Sequence, residues 1–158
     1  MLTVVVVQDF KSREISWFLI PLLVVGFVLY ALQQIGIDEL LIYFGINFMI
    51  VALNLLGVTV MVSLKEKRLT NILKNYLGLG DVLFFLVLTV VFSPFNFLFF
   101  YLGSIFITAI IYGTVMQFNQ QKKMLIPLAG AMSLLLILTL IIEQVTPSFQ
   151  LYQDFILN

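Results

Sequence analysis

From Leu40 to Leu64 no residue carries a charge, and that run dictates the solvent in which this chain folds. A helix rises ~1.5 Å per residue and bilayer hydrocarbon is ~30 Å thick, so about 20 apolar residues cross it. Comparable stretches run from Trp17 to Leu32, Phe95 to Phe118 and Leu125 to Ile142. Val82 to Phe92 is shorter and is broken by Ser93-Pro94, and the opening Met1 to Val7 is too short to cross alone. Only 10% of residues are charged and 62% are hydrophobic, whereas soluble domains carry ~25% charged residues. The expectation is an all-α polytopic transmembrane bundle of about six membrane segments, the first short or truncated. It forms a single membrane-embedded domain over 1–158.

The charges orient this bundle. All eight Lys and Arg fall in Lys11 and Arg13, in Lys65, Lys67, Arg68 and Lys74, and in Lys122 and Lys123. The opposite connections carry Asp38 and Glu39, nothing at Ser93-Pro94, then Glu143 and Asp154. With alternating spans every basic residue lands on one side, which the positive-inside rule makes cytoplasmic. The chain thus reads as a multi-pass protein of the cytoplasmic (inner) membrane, with its start outside and 144–158 a non-cytoplasmic tail. Lys11 and Arg13 follow the first apolar stretch, so the start does not read as a cleavable signal peptide. Between 65 and 77, Leu69, Ile72, Leu73, Tyr76 and Leu77 form one helical stripe; this predicts an amphipathic helix lying on the cytoplasmic surface. Zero net charge and no basic stripe exclude nucleic acid as a partner; membrane lipid is the expected surround.

Two carboxylates stand at the edges of these runs. Asp9 follows Val4-Val5-Val6-Val7, and Asp81 closes Gly78-Leu79-Gly80-Asp81 before the uncharged Val82 to Phe92. An acid beside hydrocarbon is expensive and marks a functional site. Asp9 ends the first segment and Asp81 begins the fourth, so both come to the cytoplasmic face. The chain has no Cys and no His, which removes thiolate nucleophiles, Ser-His pairs and His-based metal sites. Carboxylates remain. Two of them held close share a proton: the ionised one activates water against a peptide carbonyl while the other donates to its oxygen. This chemistry needs neither a metal nor a cofactor. Gly78 and Gly80 allow unusual backbone angles and close approach of another chain.

Gly78-Leu79-Gly80-Asp81 resembles the GxGD signature of the type IV prepilin peptidase and preflagellin peptidase family, shared with presenilin-type proteases. Asp9 to Trp17, an aspartate followed by basic residues and a helix start, is similar to that family's first motif, and Ile126-Pro127 to a later Pro-containing segment. The resemblance covers essentially the whole chain. It implies an aspartic endopeptidase that removes basic leader peptides from pilin-like or flagellin-like precursors, as in type IV pilus assembly or protein secretion. Asp9 and Asp81 would be its catalytic pair, with Gly78 and Gly80 shaping the motif. Leu83 stands where many bacterial members have Lys, and Ser16 where Pro is frequent. The Cys-bearing region associated with N-methylation is missing, so no methyltransferase activity is expected.

Plainer readings stand beside these. Asp9 and Asp81 fit ordinary helix-end charges; Gly78 and Gly80 fit a helix stop. Lys11 and Arg13 read as topology determinants, Asn47 and Asn54 as interhelical hydrogen bonders, and Ala129, Gly130 and Ser133 as close helix packing. The Leu83 departure motivates an alternative, an inactive homologue serving as a membrane scaffold or assembly partner of a pilus or secretion machine. An ion-coupled transporter fits less well, because both acids lie near one surface. A homo-oligomer is compatible with the pattern.

Overall fold

The computed structural model describes residues 1–67, 78–119, 127–146 and 149–153. Six helices occupy them: α1 Leu2–Ser12, α2 Leu19–Gln34, α3 Ile37–Glu66, α4 Leu79–Leu88, α5 Pro94–Asn119 and α6 Leu128–Val145. The protein is all-helical, as expected. Among the described residues three helices are long and apolar enough to cross a membrane: α3, α5 over Pro94–Val115, and α6. They make this a membrane protein. Helix α2 is a shorter apolar helix, and α4 is shorter still.

The burial pattern is that of a bundle solvated by lipid. On α3 only Leu40, Asn47 and Val51 are buried, a narrow stripe, while Leu41, Met49, Leu53 and Met61 are exposed. Such a face would be unfavourable against water and costs nothing against acyl chains. Helix α2 buries Leu19, Ile20, Leu23, Phe27 and Ala31, a single stripe, with Pro21 tolerated in its first turn. The Phe-rich stretch divides: Phe84, Phe85, Phe92 and Phe97 are buried, whereas Phe95, Phe99 and Phe106 are exposed. Phe97 stacks on Tyr101 with centroids 5.4 Å apart, and Phe85 meets that ring edge-on at 5.2 Å.

Helix α4 departs from the sequence expectation at both ends. It starts at Leu79, so Gly80 and Asp81 belong to its first turn, and it ends at Leu88 instead of reaching Phe92. The tight bonds Val90 N–H to Val87 O and Val91 N–H to Leu88 O close it. This buried turn leaves carbonyls to satisfy, and bare polar backbone is not tolerated away from water. Asn47 Nδ2 supplies the donors, to Thr89 O at 3.0 Å and Phe92 O at 2.9 Å. Asn54 accepts from the Tyr101 hydroxyl at 3.2 Å. Asn54 therefore bonds between helices, as expected, whereas Asn47 bonds from its helix to the turn that follows α4.

The predicted surface helix over 65–77 is corrected at its start. Lys65 and Glu66 complete α3, and Lys67 caps it in the left-handed region at φ 54°; residues 68–77 lie outside the described part. So does Ile126. Of the tail, Gln144 and Val145 still belong to α6. Beyond them the chain is clasped at the end of the bundle remote from Asp9: Asn96 Nδ2 donates to the carbonyls of Gln150, Leu151 and Gln153. Ser93 N–H donates to Leu151 O. Glu143 accepts from Leu151 N–H at 3.0 Å and from the Tyr30 hydroxyl at 2.8 Å.

Candidate active site

At the other end, α1 closes on α6. Asp9 lies in the last turn of α1 and is buried together with Val5, one helical turn earlier. Asp81 is the third residue of α4. Its Oδ2 reaches back to Gly78 N–H at 3.3 Å, so the carboxylate caps its own helix. The chain brings the two acids to one place through a third helix. Asp81 Oδ1 accepts from Ala129 N–H at 2.9 Å, and Asp9 Oδ2 accepts from Gly130 N–H. These amides belong to successive residues in the first turn of α6.

The electrostatics follow from this position, which lies outside the three helices long enough to span. Burial raises the Asp9 carboxyl above its ordinary range, partly offset by the Gly130 amide and the Arg13 charge. Burial also pushes Asp81 up, to about 6; the Ala129 and Gly78 amides oppose the rise and the Asp9 charge adds to it. The two carboxyl groups thus sense each other, and proton release from one depends on the other.

A cavity of about 390 Å³ opens beside the acids. Asp9, Arg13, Glu14 and Ile15 line it from α1 and the loop that follows; Gly78 to Asp81 and Leu83 line it from α4. Leu83 therefore gives this cavity an apolar wall. Arg13, read from sequence as a topology marker, borders the same space. It ends α1 in the left-handed region at φ 57°, with its N–H donating to Asp9 O.

The glycines need a correction. No described glycine has a positive φ, so Gly78 and Gly80 are not used for unusual backbone angles. Close approach is what Gly80 provides: a Cβ there would meet Ile15 Cδ1 at 3.3 Å, so the loop after α1 rests on the motif. At Gly78 a Cβ would come within 3.1 Å of Asp81 Oδ2. Ser16 also has a local reason. Its N–H donates to Gln8 Oε1 and its hydroxyl accepts from Gln8 Nε2, each at 3.0 Å; proline would forfeit the first bond.

Sequence reasoning read Ala129 and Gly130 only as packing residues. Both are fully or almost fully buried, but their amides also hold the carboxylates. The available signal was Pro127, which precedes the helix and marks where unpaired amides begin.

Neither the curated proteins nor the solved structures yield a match to this chain. A model of the type IV leader peptidase family matches residues 1–113, a stretch that holds Asp9, Gly78, Gly80 and Asp81 and ends before α6. With well over half its length matched, this membrane-embedded helical chain belongs to the type IV leader peptidase family.

Proposed function

We propose that the protein is an aspartic endopeptidase of the cytoplasmic membrane, with Asp9 and Asp81 as its catalytic pair. It cuts leader peptides from pilin-like or flagellin-like precursors at the cytoplasmic face. One observation carries this reading: two acids far apart in sequence hang from adjacent amides, close enough for the charge on Asp9 to raise the Asp81 carboxyl.

In the reactive state one carboxyl is ionised and the other protonated. The ionised group takes a proton from water as the water oxygen bonds to the scissile carbonyl carbon. The protonated group gives its proton to the carbonyl oxygen. The tetrahedral diol then collapses, the C–N bond breaks, and the amine leaves with a proton returned by the pair. The cavity beside Asp9 and Asp81 gives an extended peptide room to reach them, and Leu83 and Ile15 offer it apolar walls. Peptide hydrolysis alone is proposed, without methyl transfer to the new terminus.

Co-expression with a leader-bearing precursor tests the proposal. The wild-type chain should shorten the precursor, and Asp9→Asn or Asp81→Asn should each lower cleavage by at least ~10³-fold, as removal of one member of a catalytic unit does. Cleavage at the wild-type rate in either variant refutes the pairing.

A further inference from the structure

We infer that the first turn of α6 is the positioning element of this site: the main-chain N–H groups of Ala129 and Gly130 set where the two carboxylates stand, and position 130 tolerates no side chain. The inference rests on the peptidase reading above and deepens it.

The first amides of any helix lack an intrahelical acceptor. Among the described residues the earliest intrahelical bond of α6 is Ala131 N–H to Pro127 O, and Pro127 has no N–H to offer. Ala129 and Gly130 therefore carry free donors, and each is taken by a different carboxylate. Successive Cα atoms are ~3.8 Å apart. Two acids hung from neighbouring peptides thus acquire a separation set by covalent geometry, not by the rotamers of two unrelated helices. The donors also favour the ionised form of whichever acid has lost its proton.

At Gly130 helix α1 packs close. A Cβ on it would lie 3.0 Å from Asp9 Oδ2 and 2.9 Å from Phe10 Cδ2, so it would push directly on the carboxylate and on the ring beside it. Simple close packing predicts only the second contact to matter. The charged or titratable groups around the pair are Arg13 and Glu14 after α1, with Tyr112 of α5 feeling both Asp9 and Arg13. Lys11, Lys65, Glu66 and Lys67 are the other charges in the described chain at this end, and all but half-buried Glu66 are exposed. Helix α2 adds no charged residue.

The test uses the full chain in detergent micelles, a leader-bearing precursor as substrate, and three variants. Gly130→Ala should lower kcat by about 30-fold or more while leaving KM within about twofold, because the acids are displaced and the cavity wall is not. Phe10→Ala combined with Gly130→Ala removes the ring from the clash but not the carboxylate; it should recover the melting temperature without recovering kcat. Ala129→Pro deletes the donor to Asp81 in the first helical turn, where proline is tolerated, and should move the Asp81-dependent limb of the pH–rate profile upward by about one unit. Infrared titration of the carboxyl groups, assigned with Asp9→Asn and Asp81→Asn, should show the same rise. Full recovery of kcat in the Phe10→Ala/Gly130→Ala protein reduces Gly130 to packing and overturns the inference, as does an unshifted titration in folded Ala129→Pro. A wild-type chain that titrates as described and leaves the precursor uncut removes the peptidase reading instead, so the two failures are separable.

Discussion

Asp81 sits at about 6 where an unstructured aspartate sits near 3.8, and that difference has a direction. Between those values the folded protein keeps a proton that the unfolded chain has released. The resulting stabilisation is complete below about 4 and is lost as the pH rises through about 6. Thermal unfolding in detergent should therefore show stability falling across this window, and Asp81→Asn should flatten the slope. A wild-type profile in that variant would place the effect elsewhere. At this scale the acids were legible because a carboxylate bordering an uncharged run stands out. Gln8, Asn96 and Glu143 were not: a polar side chain near a helix end looks alike in sequence whether it meets water or a partner. Only the folded chain shows Gln8 pairing with Ser16, and Asn96 and Glu143 holding the tail.

Helix α4 shows what hydropathy reads and what it misses. Its apolar run was plain, yet Thr89, Val90 and Val91 do not by themselves say that the helix must stop at Leu88, since β-branched Val82 and Val87 lie inside it. The stop depends on Asn47, far away on α3, whose two bonds satisfy the carbonyls of the turn. Replacing Asn47 with Ala leaves those acceptors without a donor in a dry interior. The expected loss is about 2 kcal/mol of stability, read as a lower melting temperature of the purified protein. Asn54→Ala, which frees one hydroxyl at the end of a single longer bond, should cost clearly less. Equal effects of the two substitutions would contradict this account of the turn.

Taken as a whole the molecule is polar along its axis, with the acids at one end and the clasped tail at the other. Helix α6 joins the two, since it holds the acids by its first amides and the tail by Glu143. On the reading proposed above, the basic clusters would turn the end that holds the acids toward the cytoplasm. A chain without cysteine makes this simple to check. An impermeant maleimide applied to intact spheroplasts should label Gln34→Cys, exposed at the tail end, and not Ser12→Cys, exposed near Asp9. The reverse pattern would turn the protein over. That the two acids share one end was readable from the alternation of spans, whereas the joining role of α6 was not, because it is exercised largely by main-chain atoms. A routine alanine scan would inherit the same blindness: at position 129 the residue is already alanine, and trimming side chains deletes no peptide hydrogen. A mutational survey of that kind would therefore score this position as silent, however much depends on the proton donor it carries.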